Sequence, residues 1–424
     1  MNWKSDLKKN RKKWLCVLMT LAMLLGLTAC GGNNAGNNNE SANNSDTEAN
    51  ADAGQDNANE NASETGATGE SFKLGGTGPL TGGAAIYGNA AKNGAQIAVD
   101  EINAAGGVNG YTLELRYEDD THDAEKAVNA YNALKDWGMQ LSLGSVTSKP
   151  CEATSVENYA DHIFALTPSA SSVATTEGKD NVFQMCFTDP GQGNKSAEYI
   201  AEQGLGEKIA VIWKNDDVYS KGIHDTFKAE AEARGLEIVS DTTFSDGNAT
   251  DFSVQIADAQ DNGADLVFLP MYYEPASLIL SQAQARGYAP KWFGVDGMDG
   301  ILTMQGFDVS LAEGVMLLTP FNADAQDDAT VNFVKTYQER FTDIPNQFAA
   351  DAYDCVYAFK QALENAAATP DTEQLALNDA MIEQFTTMTF SGLTGDEITW
   401  DASGAVSKEP RGMVIQDGAY VGMD

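Results

Sequence analysis

Two short apolar runs, each followed by a cluster of hydroxyl residues, constrain the fold of this 424-residue chain more than any other feature. The first covers residues 141–150 and the second residues 163–172. Each pattern predicts a buried parallel strand that ends where a helix begins. Hydroxyls and free backbone N–H groups at such an end suit a carboxylate, because a helix N-terminus is an anion-binding site. The sequence therefore predicts a small-ligand site here, with the remaining chain as scaffold and lid.

Strand and helix patterns alternate along most of the chain from residue 72 onward. This alternation is typical of a parallel sheet covered by helices on both faces. A first series ends near residue 187 and a second begins near residue 209, followed by helices and a short β tail at 398–415. The predicted fold class is therefore α/β, with two doubly wound lobes. Ligands of such sheets bind outside the carboxyl ends of the strands, so two facing lobes would form one cleft.

The N-terminal segment has the pattern of an export signal. A basic start is followed by an apolar run at 14–28, which is too short for a comfortable membrane span. The run stops at Leu27-Thr28-Ala29-Cys30, which resembles the lipobox of bacterial lipoproteins. That resemblance implies a signal peptide over 1–29 and a lipid on Cys30. The alternative is a plain secretory signal with an incidental cysteine.

Residues 33–70 contain no Lys, no Arg and no large apolar side chain. Such a segment cannot bury enough apolar surface to offset its ordering entropy. We therefore expect residues 30–70 to be a lipidated cysteine with a disordered, acidic and Asn-rich tether.

The charge balance excludes some partners. The chain has 26 Lys and Arg against 62 Asp and Glu, and removal of residues 1–29 leaves 20 basic and 61 acidic residues, a net charge of −41. This charge argues against nucleic acid and against electrostatic binding to anionic lipid. Contact with a membrane is expected only through the lipid on Cys30.

No catalytic or metal-binding motif stands out. Cys151, Cys186 and Cys355 lack a metal-ligand spacing, and either a Cys151–Cys186 disulfide or three buried thiols is compatible with the sequence. The glycine-rich turn at 75–82 has Thr81 where a dinucleotide loop needs its third glycine. We predict a protein without catalytic residues, metal or cofactor, and hence not an enzyme.

Several motifs taken together identify a family. They are Gly78-Pro79-Leu80-Thr81-Gly82 with Tyr87-Gly88, Asp100-Glu101-Ile102-Asn103 with Gly106-Gly107, Thr167-Pro168-Ser169-Ala170, Asp216 to Tyr219 with Gly222, and Gly294-Val295-Asp296-Gly297. From residue 72 to about 420 the chain resembles the type I periplasmic-binding-protein family. Within it, the chain resembles the leucine/isoleucine/valine-binding proteins of ABC importers.

The resemblance implies a domain organisation. Lobe 1 would comprise 71–190 plus 321–393, and lobe 2 would comprise 191–320 plus 394–424. The lobes would be joined by a hinge of three segments, near 188–191, 319–322 and 391–396. Closure of such a hinge around a ligand changes the surface that both lobes present.

The resemblance also implies ten ligand-binding positions. They are Tyr87, Val146, Thr147, Ser148, Ser169, Ala170, Ser171, Tyr219, Tyr272 and Asp296. Ser148 would bind the ligand carboxylate, the Ser169 carbonyl would receive the ammonium, and Ser171 would touch both groups. Asp296 would neutralise the ammonium. Tyr219 and Tyr272 would close over the ligand, and Tyr87 would form a wall of the side-chain pocket.

Simpler interpretations exist for single residues. Ser148 precedes a helix pattern, where a hydroxyl usually acts as a cap. Asp296 lies between Val295 and Gly297 and could be a turn residue, and Tyr273 could face the cleft instead of Tyr272. The chain also departs from the family, because the positions of His122 and Thr147 correspond to a disulfide in well-known members.

Together these features predict a lipid-anchored, monomeric solute-binding protein on the outer face of the bacterial cytoplasmic membrane. It would capture leucine, isoleucine or valine and deliver the amino acid to the permease subunits of an ABC transporter. Two alternatives remain open at this point. The ligand could be another amino acid or a small amide such as urea, or the closed form could signal to a membrane receptor.

Overall fold

The computed structural model describes residues 70–423. The expected signal peptide, the Cys30 lipidation site and nearly all of the expected tether lie outside the described residues. Within 70–423, no helix has both the length and the apolar character needed to cross a bilayer.

Lobe 1 is built around five strands and the helices that follow them. The strands are β1 (Ser71–Gly78), β2 (Thr112–Asp119), β3 (Leu141–Ser145), β4 (Ala165–Thr167) and β5 (Val182–Gln184). Its first three helices are α1 (Ala85–Ala104), α2 (Ala124–Trp137) and α3 (Ser148–Ala160). Every residue of β3 and β4 is buried, as expected for strands covered on both faces.

Lobe 2 repeats the pattern. Its helices are α4 (Asp189–Glu202), α5 (Val218–Arg234), α6 (Ser253–Asp261) and α7 (Tyr273–Arg286). Its parallel strands are β6 (Lys208–Lys214), β7 (Glu237–Phe244), β8 (Leu266–Leu269), β9 (Lys291–Gly294) and β10 (Met316–Leu318). The chain continues with α8 (Asp328–Phe341), α9 (Gln347–Asn365) and α10 (Gln374–Phe385). It ends with the short strands β11 (Phe390–Gly392), β12 (Gly395–Ile398), β13 (Gly412–Gln416) and β14 (Ala419–Gly422).

The five parallel strands of each large sheet follow the same order. Lobe 1 is ordered β2-β1-β3-β4-β5, and lobe 2 is ordered β14-β13-β10-β9-β8-β6-β7. Read from the β7 edge, the lobe 2 sheet is ordered β7-β6-β8-β9-β10, which is the doubly wound order of lobe 1. Strands β13 and β14 extend its other edge. All pairs are parallel except those that β13 forms with β10 and β14. The predicted fold class, α/β with two doubly wound lobes, is thus confirmed.

Helix ends follow local chemistry. Asp123 caps α2 by accepting a hydrogen bond from the Lys126 N–H at 2.9 Å. Gly138 ends the same helix with φ +94°, a left-handed conformation that glycine adopts without penalty. In lobe 2, Asp217 caps α5 and Gly235 ends it in the same way.

Helix α9, which follows the parallel strands of lobe 2 in the chain, packs on α1 of lobe 1. The approach is close, because a Cβ at Gly94 would lie 1.9 Å from the Ala349 carbonyl oxygen. Phe164 and Phe183 of the first sheet contact Phe385 of α10, with ring centroids 4.7 and 5.6 Å away. The C-terminal helices therefore complete the core of lobe 1 and place the start of α9 at the cleft.

The chain leaves lobe 1 for the first time at α4. Thr188 caps this helix, and its hydroxyl oxygen accepts the Gly191 N–H at 3.3 Å. Helix α4 packs along α5 and thus belongs to lobe 2. The chain crosses between the lobes a second time after β10. This crossing lies beside the third one, because the Thr319 N–H donates to the Arg411 carbonyl at 3.0 Å.

Contacts with lobe 1 continue beyond 391–396, the segment expected to form the third crossing. Trp400 Nε1 donates to the Gln184 carbonyl at 2.7 Å, and the Gln184 N–H donates to the Gly404 carbonyl at 3.0 Å. Residues around 400–404 thus contact the edge of the first sheet. We therefore propose that the third crossing follows at 409–411 and that lobe 2 resumes there, and not at the expected residue 394.

The three cysteines of the described residues are buried and free. Of the two interpretations left open by the sequence, the structure supports buried thiols and not a Cys151–Cys186 disulfide.

Candidate functional site

The carboxyl ends of both sheets meet at one small cavity between the lobes. It is lined by Tyr87, Val146, Thr147, Ser148, Ser169, Tyr219, Tyr272, Asp296, Gly297 and Phe348. Eight of the ten expected positions are therefore brought together from six separate segments. The cavity volume is about 10 Å³, room for roughly one water molecule, so the lobes are closed on each other.

Ser148 is the first residue of α3 and does not cap it. The cap position belongs to Thr147, which makes no capping hydrogen bond with its side chain. The Ser148 hydroxyl oxygen instead accepts the Ser172 N–H at 3.3 Å. The cap interpretation of Ser148 was wrong, because its side chain reaches the neighbouring hydroxyl-rich loop rather than its own helix.

The two hydroxyl-rich stretches are tied to each other. The Ser169 hydroxyl donates to the Val146 carbonyl at 2.5 Å, and the Thr167 hydroxyl donates to the Ser145 carbonyl at 2.8 Å. Gly144 allows this approach, since a Cβ there would lie 2.7 Å from Thr167 Cα. Both stretches therefore form one rigid wall of the cavity.

Ala170 and Ser171 lie behind that wall. The Ala170 carbonyl accepts a hydrogen bond from Gln184 Nε2 at 2.6 Å, and the Ser171 carbonyl accepts the Asp189 N–H at 2.9 Å. Both residues are fully buried, and neither lines the cavity. In this closed form, the expected direct contact of Ser171 with both ligand groups is not available, because the chain turns away toward α4.

A hydrogen bond joins His122 and Thr147, the two positions at which the resemblance pointed to a missing disulfide. His122 Nδ1 lies 2.8 Å from the Thr147 hydroxyl oxygen, which joins the loops after β2 and β3. Burial, with the positive charges of Lys214 and Lys149, lowers the pKa of His122 to about 4. The imidazole is therefore neutral at physiological pH and suited to this uncharged contact.

Asp296 follows β9 and forms the lobe 2 side of the cavity. Its Oδ1 accepts a hydrogen bond from the Tyr219 hydroxyl at 2.5 Å, and its N–H donates to Gln192 Oε1 at 3.1 Å. Gln347 of α9 donates from Nε2 to the Asp296 carbonyl at 3.1 Å. These contacts fix both backbone and carboxylate, so Asp296 is more than a turn residue.

Within the described residues, no Lys, Arg or His side chain forms an ion pair with Asp296. The side chain is nearly inaccessible to solvent. Burial raises the pKa of Asp296 to about 7, against the lowering effect of hydrogen bonds from Tyr219 and its neighbours. Among residues 70–423, the site thus holds a carboxylate without a positive partner.

Aromatic rings enclose the remaining space. Tyr219 and Tyr272 stack with centroids 4.7 Å apart and planes 6° apart. Tyr87 of lobe 1 contacts Tyr272 at 5.4 Å and Phe348 at 4.4 Å. The residue that faces the cavity is Tyr272, whereas the backbone N–H of Tyr273 donates to the Tyr87 hydroxyl at 3.1 Å.

Gly297 and Phe348 line the cavity and were not predicted. Gly297 accepts a hydrogen bond from the Tyr87 hydroxyl, and a Cβ there would lie 2.6 Å from the Tyr219 hydroxyl oxygen. The Gly294–Gly297 motif contained this signal, since only glycine permits such proximity. Phe348 had no local signal, because α9 reaches the cleft only through tertiary packing on α1.

A family model described as periplasmic binding protein matches residues 71–419. The Leu/Ile/Val-binding protein homolog 3 of Brucella melitensis is 29% identical over 300 residues, which are 70% of this chain and 80% of that protein. The leucine-, isoleucine-, valine-, threonine- and alanine-binding protein of Pseudomonas aeruginosa is 28% identical, over 72% of this chain and 81% of that protein.

Solved structures share the fold. The branched-chain amino acid transporter substrate binding protein of Streptococcus pneumoniae, in complex with isoleucine, has a TM-score of 0.75 and 27% identity, over 83% of this chain and 98% of that one. A solute binding protein of Rhodopseudomonas palustris, in complex with 3,4-dihydroxybenzoic acid, has a TM-score of 0.73 at 20% identity, over 83% and 95% of the chains. The latter likeness concerns the fold alone.

Proposed function

Because the chain belongs to the periplasmic binding protein family, we propose that it is the solute-binding protein of an ABC importer and captures an amino acid, most suitably leucine, isoleucine or valine. One observation carries this proposal. The hydroxyl wall of Ser148 and Ser169 faces the same cavity as the buried carboxylate of Asp296. A zwitterion needs donors at one end and an acceptor charge at the other.

The carboxylate of the amino acid would bind at the start of α3. Ser148 contributes a hydroxyl there, and the N-terminal end of the helix carries partial positive charge. The ammonium would bind Asp296, together with the carbonyl of Ser169. Charge-assisted hydrogen bonds are roughly twice as strong as neutral ones, and a dry cleft strengthens them further.

The side chain of the ligand would lie among Tyr87, Tyr272, Phe348 and Val146. These four walls are apolar over most of their surface, which suits a branched aliphatic group. The names of the two relatives compared above agree with this choice. A polar or aromatic amino acid remains the nearest alternative, since aromatic walls also accept a ring.

Ligand entry requires the lobes to separate. A cavity of about 10 Å³ cannot hold an amino acid, and the Tyr87–Gly297 hydrogen bond spans the cleft. We propose a hinge motion about the three crossings at 188–191, 319–322 and 409–411. The permease subunits would recognise the surface of the closed form.

At the N-terminus, we propose cleavage before Cys30 and lipidation of its thiol. The segment up to residue 70 would tether a monomeric binding domain to the outer face of the cytoplasmic membrane. Labelled palmitate incorporated into the wild-type chain and absent from Cys30→Ser would support this anchor. Equal labelling of both would contradict it.

Two other functions are less well supported. Benzoates, as bound by the Rhodopseudomonas protein, carry no cation and would leave the buried Asp296 without a positive partner. A sensor would use the same closed form, with a membrane receptor in place of the permease.

Thermal denaturation of the purified protein with each of the twenty amino acids, urea and benzoate tests the proposal. A ligand that binds only the native state stabilises it by about 2.7 kcal/mol at a hundredfold excess over Kd. We expect shifts with leucine, isoleucine or valine. A shift with benzoate and none with any amino acid would contradict it.

A further inference from the structure

The interior beside the cavity contains more negative than positive groups. Three aspartates, Asp189, Asp296 and Asp351, are each at most 3% exposed. Lys408 is the one cationic side chain that the structure places in direct contact with any of them, and its Nζ lies 2.7 Å from Asp351 Oδ1. Of the three carboxyl groups, only Asp351 therefore has a cationic partner among the described residues.

The groups that surround Asp296 come from six directions, and none is cationic. They are Tyr219 on α5, Asp189 and Gln192 on α4, Gln347 and Asp351 on α9, Tyr87 on α1, Tyr272 before α7 and the Cys186 thiol. Lys408, which pairs with Asp351, also donates to the Thr394 hydroxyl at 2.5 Å. The positive charge of Lys408 is therefore already paired with Asp351.

A buried carboxylate without a cation is costly, and such a group takes up a proton instead of remaining charged. An ammonium group in the cavity removes that cost, because opposite charges a few ångströms apart favour the ionised form. Resting on the proposed function of this same site, we propose that amino-acid binding is coupled to the release of one proton from Asp296.

The step is balanced as an exchange of cations. In the ligand-free closed protein, Asp296 is a neutral carboxylic acid held by Tyr219. The ligand arrives with its ammonium group, the Asp296 O–H bond breaks, and the proton leaves to the solvent as the lobes open and close. The product is an ion pair between the Asp296 carboxylate and the ammonium, which together carry no net charge, like the acid they replace, while the ligand carboxylate adds one negative charge at the start of α3.

Burial raises the pKa of Asp296 to about 7, which agrees with this exchange near neutral pH. Burial also raises the pKa of Asp189, but Asp189 does not line the cavity. Its Oδ1 has no hydrogen-bond partner, and it lies on α4 behind Ser171. We therefore expect Asp189 to keep its proton in both states, which makes it a matched control.

The exchange restricts the class of ligand. A molecule without a positive charge, such as urea or a benzoate, cannot replace the proton and would face a neutral acid. A zwitterionic or cationic amine can. The proton exchange therefore selects for ligands that carry an ammonium group.

Isothermal titration calorimetry with L-leucine tests the coupling. Titrations at pH 6 and pH 7 in buffers of different ionisation enthalpy count the protons released. We expect about half a proton at pH 7 and nearly one at pH 6, with Kd rising about fivefold from pH 7 to pH 6 and about tenfold for each further pH unit below. The ligand carboxylate stays ionised over this range.

Two variants test whether the released proton comes from Asp296. Asp296→Asn should bind L-leucine more weakly and with no proton release, whereas Asp189→Asn should keep the release. Binding of L-leucine by the unaltered protein without any buffer-dependent heat overturns the coupling alone. No binding at any pH from 5.5 to 8 overturns the leucine-binding function, and the coupling with it. Unchanged release in Asp296→Asn also overturns the assignment.

Discussion

Tyr219 holds Asp296 through a 2.5 Å hydrogen bond, although 77 residues separate them in the chain. Both lie at carboxyl ends of lobe 2 strands, one after β6 and the other after β9. The Tyr219 hydroxyl oxygen also accepts the Gly297 N–H at 2.9 Å. One phenol therefore orients the carboxylate and the backbone turn that carries it.

Tyr219→Phe should weaken amino-acid binding by about 1.5–3 kcal/mol, the usual value for a hydrogen bond to a charged group. The fold should remain, because the ring still stacks on Tyr272. Calorimetric titration with leucine measures the loss. Tyr159→Phe, on the surface of α3, is the control and should bind normally. Equal affinities of Tyr219→Phe and the control would disprove the role of this hydroxyl.

Asp296→Ala should weaken binding by about 2–5 kcal/mol, because it leaves the ligand ammonium buried without its partner. Circular dichroism should show unchanged secondary structure, and fluorescence titration gives the affinity. Asp308→Ala, on an exposed turn of the same lobe, serves as the control. Wild-type affinity in Asp296→Ala would show that the ammonium binds elsewhere.

Ser148→Ala should weaken binding by about 1–3 kcal/mol, since the ligand carboxylate loses a hydroxyl donor in a buried site. Ser155→Ala on the same helix is a matched control. Its hydroxyl donates to the Glu152 carbonyl at 2.9 Å and does not line the cavity. Affinities from the same titration should separate the two variants, and a similar loss in both would point to helix stability as the cause.

Lys408→Met should destabilise the protein by about 3–5 kcal/mol, because it leaves Asp351 buried without its cation. Urea denaturation measures the change in the free energy of unfolding. Lys335→Met, at an exposed position of α8, should change stability by less than about 0.5 kcal/mol. A similar result for the two variants would mean that Asp351 is neutral in the folded protein.

The ligand-free protein should be more stable at pH 5 than at pH 8. Burial raises the pKa of five aspartates to about 6 or 7, and these are Asp120, Asp217, Asp296, Asp299 and Asp351. A raised folded pKa gives stability that is complete below the unfolded value near 4 and is lost as pH rises to about 7.

His122 acts in the opposite direction, because its folded pKa of about 4 lies below the unfolded value near 6.5. It removes stability as pH falls from about 6.5 to 4. Because five aspartates outnumber one histidine, we expect the stability of the protein to fall as pH rises from 5 to 8. Urea denaturation at the two pH values decides this, and greater stability at pH 8 would contradict it.

Much of the fold could be predicted from the sequence because its signals are local. The stretches at 141–150 and 163–172, each predicted to hold a buried parallel strand, contain β3 and β4. Glycine and hydroxyl motifs at strand ends marked the cavity walls, since parallel strands bring their carboxyl ends to one edge. These features depend only on neighbouring residues and on the geometry of a parallel sheet.

The sequence alone thus determined the α/β alternation, the two lobes and the chemical types that meet between them. Tertiary structure decided what local patterns do not encode. It placed Ser171 outside the cavity lining, brought Phe348 to the cleft and joined Trp400 to the edge of β5. It also left Asp296 without a cationic partner among residues 70–423, since burial and long-range packing, not sequence spacing, determine which charges meet.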